Sequence, residues 1–400
     1  MNHVGAIGLL TLFAVAAAAQ ADAHGPAGPP RAHVSDAEVA AVTRNTLLID
    51  THNDIPSRTV DGLDIGLPGH WNGTNNPGVG TMTDIPRLRA GGVGAVFFAA
   101  YVASRYVPGN HSAHRALEMI DTIRHDIVAA HPHDFVLATS AGQIEAAHRE
   151  GKMAALIGIE GGHAIEDSLR LLRDYYALGV RYMTLTHTNT NDWADSQGDS
   201  NDPNVVHHGG LTPFGKQVVL EMNRLGMMVD ISHVADDTFW AALATSQAPL
   251  IASHSSCRAL TNNTRNLTDP MIAALAKQGG VIQINFYCDF VQQKASPPTL
   301  SDVVDHIDHA VKIGGMDHVG IGSDFDGIEC APVGLQSVAD FPHLTRALLQ
   351  RGYSHAQIAQ LYGGNTLRVM RQVGAVSRRL RAHAAAARIE PGKKALHASR

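Results

Sequence analysis

The chain has 400 residues, 44% of them apolar, which is enough to bury one large barrel or two ordinary domains and excludes long disorder. The formal charge is −6, from 31 basic and 37 acidic side chains with no basic stripe, which argues against nucleic acid as a partner. Histidine is abundant, at 24, so the places where histidines fall are worth following.

The first element is an apolar run, Val4 to Ala19, ending in small residues and followed by the A-x-A site Ala21-Asp22-Ala23. This predicts a secretory signal peptide over residues 1–23 and an exported protein, periplasmic or secreted. An uncleaved anchor is the alternative, because no Lys or Arg precedes the run. No other segment reads as a membrane span. Residues 24–45 form a Pro-containing lead-in with one short helix. From residue 46 to about 375 a single pattern repeats without a composition break.

Eight short apolar runs read as strands: Leu47–Asp50, Val93–Ala100, Ala154–Ile159, Tyr182–Thr186, Met227–Ile231, Leu250–Ser253, Val281–Phe286 and Val319–Gly322. Most lack polar alternation, as parallel strands covered on both faces do. Helical patterns lie between them, at Ala113–Ala130, Asp167–Leu178, Thr212–Leu225 and Leu300–Ile313. Pro213 after Thr212 is a helix start. The alternation predicts an α/β fold, a (β/α)8 TIM-type barrel, with a doubly wound open sheet as the alternative. Residues 376–400 read as an Ala/Arg-rich tail, a helix fraying into a flexible end. The three cysteines, Cys257, Cys288 and Cys330, are odd in number and widely spaced, so they suggest no disulfide framework and no thiolate metal site.

Polar residues cluster where the predicted strands end. Strand one runs into His52 and Asp54, strand three into Glu160, strand four into His187, strand five into His233, strand six into His254 and strand eight into Asp324. In a parallel barrel these seven side chains converge on one mouth. His52 and Asp54, two apart, point the same way, and imidazole with carboxylate suits Zn²⁺. Glu160 closes a buried strand, which is costly for a charge unless it is paired or metal-bound. With His233 and His254 the set numbers five, which suits two ions sharing a carboxylate better than one tetrahedral ion. Each histidine alone reads as a satisfied core residue; only the set argues for metal. Asp324 suits a general acid or base, with Asp326 its competitor and a loop cap the plain reading of both. His187 suits a donor to an oxyanion. Arg265 suits a bidentate carboxylate clamp, although spacing alone makes it a surface residue.

These stretches resemble the membrane (renal) dipeptidase family of the metal-dependent amidohydrolases. The resemblance is carried by IDTHNDIP (Ile49–Pro56), LIGIEGGH (Leu156–His163), GVRYMTLTHTNTNDWAD (Gly179–Asp195), the run from Gly210 to Asp236, IASHSS (Ile251–Ser256), RNLTD (Arg265–Asp269), VIQINFY (Val281–Tyr287) and GIGSDFDG (Gly320–Gly327). It implies two Zn²⁺ ions, one held by His52 and Asp54, the other by His233 and His254, with Glu160 bridging. It implies a metal-bridged hydroxide that attacks the amide of free dipeptides, including those with a C-terminal D-residue. His187 would steady the carbonyl, Arg265 the terminal carboxylate and Asp324 the proton, with Tyr287 lining the pocket. It also implies a homodimer. The chain ends without the hydrophobic tail of a lipid anchor, so a soluble exported enzyme is expected. Two alternatives remain at this stage: another two-metal amidohydrolase, such as an N-acyl amino acid deacylase or lactonase, and a catalytically silent binding protein.

Overall fold

The computed structural model describes residues 27–69, 80–294 and 296–389. The predicted signal peptide lies outside the described residues. Nine strands form one parallel sheet: β1 Leu48–Asn53, β2 Val93–Tyr101, β3 Phe135–Leu137, β4 Met153–Glu160, β5 Val180–Thr184, β6 Met228–Asp230, β7 Ile251–Ser255, β8 Val281–Ile284 and β9 Val319–Ile321. Eight of them follow one another in the order β1-β2-β4-β5-β6-β7-β8-β9, and β3 pairs with β4 off this path. The path closes at one end only, where Asn53 bridges Phe325 in parallel. There the Asp324 amide donates to the His52 carbonyl (3.0 Å) and the Asp54 amide to the Phe325 carbonyl (2.9 Å). The result is a TIM-like α/β barrel, as the alternation predicts, and not an open doubly wound sheet.

All eight expected strands are present. The sequence reading misses β3, three residues that pair only with the start of β4. A segment that short has no periodicity to read. The strands are buried along nearly their whole length, from β1 through β9, which is why they lack polar alternation. The helices fall where expected. Thr212 caps Pro213–Leu225, its side chain accepting from the Gly215 amide, with Pro213 in the first turn. The expected helix after β2 runs as Ser112–Thr122 and continues through a wider π-type turn, Ile123–Ala129.

One expectation differs, that of the cysteines. The last helix spans Asn365–Ile389 and so carries past 375 into the Ala/Arg-rich tail, whose end lies outside the described residues. It is held past 375 by Ser377 Oγ on the Arg224 carbonyl (2.7 Å) and by Arg381 on the Arg224 and Leu225 carbonyls. The composition of the tail hides this, because the anchors are the last carbonyls of another helix. Cys288 and Cys330 form a disulfide, with Cα atoms 5.6 Å apart across 42 residues of sequence, while Cys257 is free and buried. The loops after β8 and β9 bring the two cysteines together, which their spacing does not reveal.

Candidate active site

Glu160 stands at the centre of the barrel mouth. Its Oε1 lies 3.0 Å from His233 Nε2, 3.2 Å from His254 Nε2, 3.5 Å from His52 Nε2 and 3.9 Å from His187 Nε2. His52 Nε2 is also 3.2 Å from Asp54 Oδ2. Three overlapping groups bring ligand atoms within 4.8 Å of one another: His52, Glu160 and His254; Glu160, His187 and His233; His52, Asp54 and Asp324. All seven strand-end side chains named from the sequence therefore meet at one place.

The backbone explains how. β1 ends His52-Asn53-Asp54, and the seam that closes the barrel is made by the amides and carbonyls of these residues and of Asp324 and Phe325. His233, Asp324 and Asp326 sit at positive φ (64°, 65° and 68°). A non-glycine residue held there costs of order 1–3 kcal/mol and persists only where the surroundings hold it. Gly327 clears the approach of the two carboxylates: a Cβ there would lie 2.4 Å from Asp54 Oδ2 and 2.7 Å from Asp324 Oδ1.

Hydrogen bonds behind the mouth fix the histidine tautomers. The Tyr182 hydroxyl donates to the Thr51 carbonyl (3.1 Å) and lies 2.8 Å from His52 Nδ1. Its one proton being used, it accepts from Nδ1–H, which leaves the Nε2 lone pair facing the site. Ser253 Oγ donates to Asp230 Oδ2 (2.6 Å) and lies 2.8 Å from His254 Nδ1, so His254 also presents a bare Nε2. Gly158 makes the first arrangement possible, since a Cβ there would stand 2.0 Å from the Tyr182 ring.

Electrostatics follow from crowding and burial. Burial works against the Glu160 charge, but His52, His187, His233 and His254 outweigh it and hold its carboxyl well below the usual range. Burial pushes Asp324 up to about 7, although His52 and an Asn285 hydrogen bond (2.7 Å) oppose it. Asp54 is pushed up to about 6, again by burial. Burial lowers His187, and lowers His233 and His254 well below their ordinary value, with the Arg265 charge adding to all three. Neutral imidazoles at these three positions suit metal binding. His52 differs: burial works against its charge, but Tyr182, Glu160 and Asp54 outweigh burial and raise it well above its ordinary value, so it must give up its Nε2 proton to hold a metal.

Arg265 is not on the surface. It is 3% exposed, donating through Nη1 to Ser255 Oγ and through Nη2 to the His254 carbonyl, both at 2.8 Å, with Nε left unpartnered. Its guanidinium lies 5.5 Å from the centre of the Phe290 ring. Phe290 and Tyr287 line a cavity of about 440 Å³ together with His187, His233, Glu160 and Asp324. Asp326 reaches the same cavity, but its Oδ1 accepts from the Met82 amide (2.8 Å), the cap role weighed for it.

Residues 36–384 match the family model described as membrane dipeptidase, peptidase family M19. The chain belongs to this family. The dipeptidase is 38% identical over 369 residues to Dipeptidase verJ of Clonostachys rogersoniana, covering 88% of each chain. It is 38% identical over 341 residues to Dipeptidase 3 of Mus musculus, covering 84% of this chain and 66% of the mouse protein. Among solved structures it is similar to a metallo peptidase from Rhodobacter sphaeroides liganded with a phosphinate mimic of the dipeptide L-Ala-D-Ala. That match has a TM-score of 0.70 and 27% identity, covering 82% of this chain and 99% of the other.

A metal cofactor belongs to this family, and the dipeptidase's donor set fits one. His52 Nε2, which faces the site, is buried without a hydrogen-bond partner. His233 Nε2 and His254 Nε2 lie 3.0 Å apart beside a carboxylate, an arrangement that wants a cation. The sequence reading does not find the supporting residues: Asp50, which accepts from Ser323 and the His52 amide, and Tyr182, Asp230, Ser253 and Asn285. Asp50 and Asp230 sit inside strands β1 and β6, where a buried carboxylate among apolar neighbours is itself the missed signal. It also passes over Tyr101, Arg58, Asp61 and Glu329 at the cavity rim. No helix among the described residues is long and apolar enough to cross a membrane.

Proposed function

We propose that this metallo-dipeptidase uses two zinc ions and acts on free dipeptides, including those with a D-residue on the carboxyl side. His52 and Asp54 would hold one ion, His233 and His254 the other, and Glu160 would bridge them. When bound, the ions supply Lewis-acid activation of water and of the scissile carbonyl. The chain's own groups do the rest. Neutral His187, at the cavity wall, donates a hydrogen bond to the oxygen that gains charge. Asp324 takes a proton from the attacking water and gives it to the leaving amine. A carboxyl pushed up to about 7 by burial is suited to both transfers near neutral pH.

The observation that carries the reading is Arg265. A guanidinium buried behind the metal-binding histidines with an unpartnered Nε is a preformed partner for a carboxylate. A carboxylate held there would lie just past the scissile bond and so would favour free dipeptides. The D-residue reading draws on the ligand of the Rhodobacter sphaeroides relative. Export draws on the signal-peptide pattern and on the Cys288–Cys330 disulfide, since such bonds persist in oxidising compartments.

The test is hydrolysis of L-Ala-L-Ala, L-Ala-D-Ala, an amidated dipeptide, a tripeptide and an N-acetyl amino acid, before and after chelation and zinc return. Cleavage of the free dipeptides alone, restored by zinc, is expected. Arg265→Met should then lose the preference for the free acid over the amide. Cleavage of the N-acetyl amino acid alone would overturn the substrate.

A further inference from the structure

A second cavity lies on the opposite face of the barrel. Arg181 is the second residue of β5 and Gly226 precedes β6, so this cavity opens where strands begin. Its volume is about 340 Å³. Four arginines line it: Arg181, Arg371, Arg378 and Arg381. No carboxylate among the described residues does. Ser140, the N-cap of helix Ala141–Arg149, and Gly142 in its first turn form another wall.

The charges are only partly compensated. Among the described residues, Arg371 alone of the four makes an ion pair, with Glu145. Arg181 donates only to carbonyls, those of Thr139 (2.7 Å), Tyr176 (3.0 Å) and Val180 (2.8 Å), and lies over the Tyr176 ring at 4.1 Å. Arg381 likewise takes the carbonyls of Arg224 and Leu225. These and the Tyr176 carbonyl belong to the last turns of two helices, whose partial negative charge offsets part of these two cations, but no such partner meets Arg378 among the described residues. Burial lowers the Arg181 pKa, and the nearby Arg381 charge adds to that. The cavity is therefore a recess of guanidinium groups beside a helix N-terminus whose partial charge has the same sign.

We propose that this cavity binds a small soluble phosphate-bearing anion. Guanidinium forks match phosphate oxygens in pairs. A dianion between Arg181, Arg378 and Arg381 would relieve their repulsion. A recess suits a soluble ligand better than a lipid surface.

The experiment is equilibrium dialysis of the full-length holoenzyme against inorganic phosphate, comparing wild type with Arg378→Glu and Gly142→Asp. Arg378 makes no ion pair among the described residues, and a Cβ at Gly142 meets nothing within 4 Å. An aspartate in a first helical turn is favourable, so Gly142→Asp carries the test if Arg378→Glu does not fold. Any phosphate at the mouth is common to all three proteins. Expected is one phosphate per chain fewer, or tenfold weaker binding, in both variants, with dipeptide turnover unchanged. Equal phosphate binding in all three proteins overturns the proposal. So does sedimentation of wild type with phosphatidylglycerol vesicles in the absence of phosphate binding, which would make the face a lipid contact.

Discussion

The two ends of the barrel solve the same problem in opposite ways. Six of the eight barrel strands are entered through a glycine at positive φ: Gly92, Gly151, Gly179, Gly226, Gly279 and Gly315. Turns that leave the strands toward the mouth use glycine as well, as at Gly161 after β4, but there Asn110, Glu166, Asp167, His233, Asp324 and Asp326 also occupy that region. Glycine takes such a conformation without steric cost. At the mouth three of the six residues line the active-site cavity, and the fold tolerates backbone strain there to keep those side chains. The interior follows the same division. Near the entry end Ile49, Leu156 and Met228 pack on Leu367 and Val373 of the last helix, while the mouth holds carboxylates and imidazoles. One end is built for stability and the other for chemistry.

The sharpest break in this comparison is Glu160→Gln. Loss of dipeptide turnover below detection is expected, and the chelated variant should also melt lower than chelated wild type. Against the cost of burial, four imidazoles hold the Glu160 carboxyl well below its usual range, so its charge stabilises the folded state at neutral pH, and removing one partner of a buried pair is destabilising. An unchanged melting temperature in the chelated variant would show that Glu160 serves the metal site and not the fold.

Next come the tautomer holders. Tyr182→Phe and Ser253→Ala should each cost about 10–100-fold in metal affinity or activity, as removal of such partners does. Excess zinc should recover part of the loss, measured as kcat/KM against free metal. Equal activity at all metal concentrations would remove the tautomer argument.

His163 gives a pH-dependent effect. Burial lowers its pKa to about 4, although its Nε2 bonds the Val102 carbonyl. The unfolded chain, with an ordinary histidine near 6.5, binds the extra proton first. Stability is therefore present above about 6.5 and declines as pH falls toward 4, by up to about 1.4 kcal/mol per pH unit. His163→Gln should flatten that slope in denaturant melts taken between pH 4 and 7; an unchanged slope would place its origin elsewhere.

The smallest effect belongs to the entry end. Gly179 caps helix Leu169–Leu178 at φ 115°. Gly179→Ala should lower stability by about 1–2 kcal/mol with kcat unchanged in the folded fraction. A fall in kcat would mean that the two ends are coupled.

The sequence by itself determined the eight barrel strands, their parallel arrangement and the seven side chains at the mouth. Buried parallel strands must be apolar throughout, and a charged or imidazole side chain at the end of such a run stands out. The residues that hold His52 and His254 in their tautomers were not legible. Tyr182 looks like an ordinary strand residue until the barrel sets it against His52 from β1, and Ser253, the sequence neighbour of His254, has its proton committed only by Asp230 from β6. Spacing alone put Arg265 on the surface, because only the packed loop after β7 shows it buried. The Cys288–Cys330 pair, the docking of the last helix at Ser377 and Arg381, and the arginine cavity below it were likewise decided in three dimensions. Each depends on segments far apart in sequence meeting across a loop or a helix end, and no local pattern of residue types records such a meeting.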